Sequence, residues 1–282
     1  MFNKVIILIA LTFAGSLAAS TIASESFATP EGYEHGLPFG LPEQNRNNLI
    51  GTTGFSQWDD WHRATANVTP RDTDSLTHDL LVGTAFDGAA RLRTSATVNR
   101  IARRYLKSEP TGSTFFMSGL VSMRGDPENM HLGTHARMGL SSHEGLDESS
   151  NFSRGFFLGL HRNANGSVYL AAYADGNTYT LGNELTGPAL SGAHIIVLRA
   201  ELGQRPGAND TLTAWYVLAG TSEWVEGGSW SGINIADSSS DLRAFGLGVT
   251  TDDVDTFTGT PDGVTFDEFR FGTEPEAVVR IQ

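Results

Sequence analysis

The stretch GFFLGLHRNANGSVYLAAYADGNTYTLG (155–182) constrains this chain more than any other. Strand-length runs rich in Phe, Leu, Val, Tyr and Thr are broken twice, by NANG and by ADGN, whose residues tolerate positive φ. Runs this short, joined by turns this tight, pair antiparallel with their neighbours. The same grammar recurs along the chain. Strands are expected at 113–123, 131–140, 155–162, 167–174, 194–202, 211–219, 243–250 and 263–272, and RPGAND (205–210) returns one long strand onto the next. Helical signals are scarce. So many short strands at regular spacing predict an all-β chain, with two antiparallel sheets packed as a β-sandwich.

The N-terminus reads differently. In MFNKVIILIALTFAGSLAAS one positive charge, Lys4, precedes a short apolar run and then small residues. That is the layout of a secretory signal peptide, with cleavage expected after Ala18 or Ala23. The apolar run is too short to span a bilayer comfortably, so no membrane insertion is expected. The reading is a leader over 1–23 and a single domain over 24–282, exported to the periplasm, the cell surface or the medium. Zero cysteines exclude a disulfide framework and zinc–thiolate sites, and fit a bacterial product.

The net charge is −13, and −14 without residues 1–23, whose only charge is Lys4. An acidic chain of this kind has no nucleic-acid partner in prospect. The basic stretch RLRTSATVNRIARRYLK (91–107) faces an acidic opposite, TTDDVDTFTGTPDGVTFDEF (250–269). A solvated strand or short helix paired with acidic neighbours accounts for the former without a polyanion track.

One strand carries unusual chemistry. In HLGTHARMGL (131–140), His131, His135 and Arg137 share one parity, opposite Leu132, Thr134, Ala136, Met138 and Leu140. On a strand, His131 and His135 stand about 13 Å apart, too far for one metal ion to bridge. His135 and Arg137, about 7 Å apart, suit successive contacts along a sugar chain. The expectation is an outward sheet face that serves as a ligand surface.

The order of motifs resembles a known family. ESF after the leader, GTTGFSQW, FDGAARLRTS, TFFMSGLVSM, the 155–182 stretch, AHIIVLRAELGQRPGANDTLTAWYV and GVTFDEFRFG follow one another as in exported bacterial laminin-G-like domains of the concanavalin A-like lectin/glucanase superfamily. The resemblance runs from about Glu25 to Gly272. It implies a jelly roll whose concave sheet holds saccharide in many members, sometimes with calcium.

Several candidate sites follow. Glucanases of that superfamily carry E-x-D-x-x-E on one strand, because glycoside hydrolysis needs paired carboxylates. No such run occurs here; in FDEF (266–269), Asp267 and Glu268 are expected on opposite sides of a strand. Lyases on jelly rolls neutralise a uronate with Arg, Gln or Asn and move the proton with His or Tyr. The resemblance therefore implies, for a lyase, His135 as base, Arg137 as neutraliser and Tyr173 or Tyr169 as acid. Trp58, Trp61, Trp224 and Trp230 lie beside polar loop residues and are expected at a binding rim, while Trp215 lies within a strand and packs in a sheet. No cofactor is required. Asp252, Asp253, Asp255 and Asp262 could offer oxygen ligands to calcium, although an ordinary acidic surface loop is the better account of them. The first reading is a secreted, non-catalytic domain that binds polysaccharide or glycoconjugate. The alternatives are a polysaccharide lyase or hydrolase using the same face, and a structural envelope component.

Overall fold

The computed structural model describes residues 21–25, 27, 68–71, 76–78, 80, 89–93, 100–125, 127, 130–141, 154–203, 207, 209–251 and 263–279. In chain order its strands are β1 (Thr21–Glu25), β2 (Val68–Arg71), β3 (Ala89–Arg93), β4 (Arg100–Tyr105), β5 (Thr114–Met123), β6 (Thr134–Ser141) and β7 (Gly155–Arg162). They continue with β8 (Val168–Ala174), β9 (Asn177–Leu181), β10 (His194–Glu201), β11 (Asp210–Val217), β12 (Val225–Ile233), β13 (Ala244–Thr251) and β14 (Gly263–Gly272). Among the described residues, two one-turn helices, α1 (Pro188–Ser191) and α2 (Pro275–Val278), each begin at proline.

The strands form two antiparallel sheets. An eight-stranded sheet runs β12-β11-β10-β5-β14-β3-β2, with β1 also paired to β14. A six-stranded sheet runs β4-β13-β6-β7-β8-β9. Its β6–β9 half is a meander because the expected turns form. At ADGN, Asp175 and Gly176 take φ of 51° and 71°, the left-handed pair of a two-residue hairpin between Ala174 and Asn177. At NANG, the Asn163 side chain accepts from the backbone N–H groups of Asn165 and Ser167.

The core fills the space between the sheets. Phe115, Met117, Leu198, Leu212 and Phe266 face Met138, Leu140, Phe156, Leu158 and Leu247, all fully buried. Strand β14 supplies three inward aromatics, which strict alternation would not allow. A bulge between Asp267 and Arg270, with Glu268 at φ 52°, resets the parity so that Phe266, Phe269 and Phe271 all enter the core. Phe269 then meets Phe245 of the opposite sheet at 4.2 Å between centroids. The bulge also places the buried Asp267 carboxylate where it accepts from the Leu76 and Glu268 N–H groups, and Glu268 where it pairs with Arg270 at 3.1 Å. These acids hold backbone N–H groups and an arginine.

A second, smaller apolar layer covers the outer face of the eight-stranded sheet. Leu120, Ile195, Val197 and Val217 are buried there beneath Ala277 and Val278 of α2. Beside it, two histidines grip one peptide bond. His78 Nδ1 accepts from Leu80 N–H and its Nε2 donates to the Leu218 carbonyl; His194 Nδ1 accepts from Ala219 N–H and its Nε2 donates to the Ala189 carbonyl at 2.6 Å. Only the neutral imidazole of His194 can make both bonds. Burial lowers its pKa below 6.5 and the nearby His78 adds to this, while the Ala189 carbonyl acts in the opposite direction. The unfolded chain therefore binds this proton more readily than the folded one. The stability involved is full above the ordinary histidine value and is lost as pH falls through and below it. The melting midpoint is expected to fall between about pH 7.5 and about pH 5.5, and His194→Gln to flatten that part of a pH–melting profile.

Candidate functional site

The outer face of the six-stranded sheet is paved with small residues. Register sets Gly248, Arg137, Gly159 and Ala171 side by side across β13, β6, β7 and β8. The next row that way carries Thr250, His135, His161 and Tyr169. On the other side lie Gly246, Gly139, Phe157, Tyr173 and, on β9, Thr178. Gly159 has no side chain and Ala171 only a methyl, and the large residues around them lean together.

Their contacts are specific. The His135 and His161 rings stack at 4.5 Å with a 16° interplanar angle. Tyr173 meets His135 edge-on at 5.8 Å, and the Arg137 guanidinium carbon lies 4.7 Å from the Tyr173 ring centre. Arg137 donates to the Thr250 hydroxyl at 2.9 Å, and Thr178 Oγ1 lies 3.2 Å from His135 Nδ1. The Tyr173 hydroxyl donates to the Leu160 carbonyl at 2.6 Å.

His135 and Arg137 thus point away from the core, with Ala136, Met138 and Leu140 inward. They are nevertheless covered, at 6% and 7% exposure, and Tyr173 at 1%. Phe157, Ala171, Tyr173 and Ala244 form a buried apolar cluster on this same face, with Tyr105 packed against it. Exposure returns toward β9: His161, Tyr169 and Thr178 are half-buried and Thr180 is exposed. That margin is the open side of the cluster.

The other candidates lie elsewhere. His131 is outside the strand: β6 starts at Thr134, and Gly133 at φ 66° breaks the alternation on which His131 depended. His131 Nδ1 instead lies 3.0 Å from the Leu132 carbonyl oxygen. Trp224 packs with Trp215 on the apolar layer over the eight-stranded sheet, on the opposite side of the sandwich. Trp230 is part of strand β12 and not of a loop; its ring stacks on Tyr179 of β9 at 4.4 Å, where strand edges of the two sheets meet. Burial, joined by the nearby Asp175 charge and offset by the Asn177 side chain, raises the Tyr179 pKa and keeps that phenol neutral. Trp58, Trp61, Asp252, Asp253, Asp255 and Asp262 lie outside the described residues. Among the described residues, no three His, Asp or Glu side chains gather as metal ligands.

His161 was not among the residues singled out from sequence. Its signal was present: in GFFLGLHR it shares parity with Phe157 and Gly159 against Phe156, Leu158 and Leu160. Only the β6–β7 register, however, puts it against His135.

No known protein family and no curated protein matches the chain. Solved structures do. The marine PL-14 alginate lyase from Aplysia kurodai aligns with a TM-score of 0.54 at 12% identity, over 91% of this chain and 100% of that one. An engineered GH43 glycoside hydrolase aligns at TM-score 0.48 and 16% identity over 78% of this chain, which spans 39% of the hydrolase. An alginate lyase in complex with alginate trisaccharide aligns at TM-score 0.47 and 10% identity, over 90% and 100%. Two packed antiparallel sheets, superposable on the Aplysia enzyme along its whole length, give this chain the jelly-roll β-sandwich fold that the enzyme has.

Proposed function

We propose that this is an exported, non-catalytic domain that binds polysaccharide or glycoconjugate on the outer face of its six-stranded sheet. The observation that carries the reading is the convergence of His135, His161, Tyr173 and Arg137 on the outer face of the six-stranded sheet. Flat rings with polar edges suit a pyranose, which offers an apolar face and a rim of hydroxyls. A guanidinium suits a carboxylated sugar through paired N–H donors. The polymer would enter from the β9 margin, meeting His161, Tyr169, Thr178 and Thr180 first. The alginate lyases share only the fold, and fold does not transmit substrate, so the sugar class rests on these side chains.

A lyase is the second reading, favoured by the closeness of His135, Arg137 and Tyr173. In β-elimination His135 would take the proton beside the uronate carboxylate, Arg137 would neutralise that carboxylate, and Tyr173 would protonate the leaving oxygen. Tyr173 argues against it. Its hydroxyl already donates to the Leu160 carbonyl and its ring is fully buried, so it would have to turn out of that bond to reach a glycosidic oxygen. A retaining or inverting hydrolase needs two facing carboxylates, and the described part of this face carries none.

The test is a product and retention profile against neutral and uronic-acid polysaccharides, with and without calcium. Retention of the protein on one polymer class with no new oligosaccharides is the expected result. Unsaturated oligosaccharides that disappear in Tyr173→Phe would establish the lyase. Neither products nor retention would sink both readings and leave a structural envelope role.

A further inference from the structure

The sequence permits two leader cuts, after Ala18 and after Ala23, and they leave different proteins. Residues Thr21–Glu25 are strand β1. It runs antiparallel to β14, with Ala23 opposite Phe271, Ser24 opposite Arg270 and Glu25 opposite Phe269. Ala23 is fully buried and Ile22 packs against the main core. The Thr21 hydroxyl donates to the Ala277 carbonyl at 3.2 Å, tying α2 to the start of the strand.

β14 depends on this partner. Its edge opposite β5 is shared between two strands: β3 covers Gly263 to Phe266, and β1 covers Phe269 to Gly272. Without β1, the half of β14 that carries Phe269 and Phe271 becomes an open edge, with unpaired backbone groups beside apolar side chains. A cut after Ala23 removes Thr21, Ile22 and Ala23 and leaves a two-residue remnant. A cut after Ala18 keeps the whole strand. Local sequence agrees, since Ser16-Leu17-Ala18 puts small residues at both positions that a leader peptidase reads. Thr21 and Ala23 could be read the same way only at the expense of the sheet.

We propose that a signal peptidase cuts this chain between Ala18 and Ala19, so that β1 is the first strand of the mature protein and Ala23 is a core residue. The inference rests on the exported reading and on the pairing of β1, and is independent of any ligand.

The experiment is to express the full chain in a secreting bacterial host and read the N-terminus of the exported protein by sequencing and intact mass. A mature chain beginning at Ala19 is expected. A chain beginning at Ser24, or one that keeps residues 1–18, would overturn the proposal. A second measurement compares leaderless proteins 19–282 and 24–282 by thermal unfolding. The shorter one is expected to melt lower by roughly 5–10 °C. Equal midpoints would show that β1 contributes nothing to the mature fold and would remove the ground for the proposal.

Discussion

Gly159→Val is expected to abolish folding or lower the melting midpoint by more than about 10 °C, read by circular dichroism. A Cβ at Gly159 would sit 1.8 Å from the Ala136 carbonyl oxygen and 2.9 Å from its carbon. Both are backbone atoms of the neighbouring strand, so no rotamer relieves the clash. Strands β6 and β7 would have to separate, at the centre of the six-stranded sheet. The cost exceeds about 3 kcal/mol, in the range reserved for disrupted cores and backbones. Gly119→Ala is the informative comparison. Its Cβ would meet the Met138 methyl at 2.2 Å, the far end of a flexible side chain that can turn aside. A loss of only about 1–2 kcal/mol is expected there. Equal effects at the two positions would show that strand spacing is not what Gly159 sets.

His161→Ala is expected to weaken retention on the bound polysaccharide at least tenfold, about 1.4 kcal/mol, while shifting the melting midpoint by only a few degrees. His161 is half-buried, at the open margin, and its removal leaves His135 without its stacking partner. Arg137→Lys sharpens the assignment, because it keeps a charge and loses the planar fork. Its loss should be confined to carboxylated polymers. Arg137→Ala is a poorer probe, since it also strips the Tyr173 ring of its cation and the Thr250 hydroxyl of its donor. Trp224→Ala is the control on the other side of the sandwich and should leave retention unchanged. If Trp224→Ala abolishes retention and His161→Ala does not, the ligand lies on the eight-stranded sheet and the proposed face is wrong.

How much was legible varies with the range of the interaction. Strands β7 and β14 fall at the residues anticipated, because alternation and flanking turns are local signals. β12 escaped notice, since VEGGSWSGI shows no apolar alternation and the strand is held only as an edge on β11. β1 escaped because its residues also read as the end of a leader; its strand character comes from β14, far away in sequence. His131 was misplaced by a single left-handed glycine. The separation of Trp224 and Trp230 onto different surfaces was invisible, because two aromatics six residues apart carry no information about which sheet each will face.

Period-two alternation and residues tolerant of positive φ act within a few positions, so composition and order alone already imply a sandwich of antiparallel sheets and the outward parity of His135 and Arg137. Cross-strand neighbours are chosen by register and by the closing of one sheet upon another, which couple residues far apart in the chain. The stacking of His161 on His135, the burial of Tyr173 over Gly159, and the place of β1 beside β14 exist only once those long-range pairings have formed.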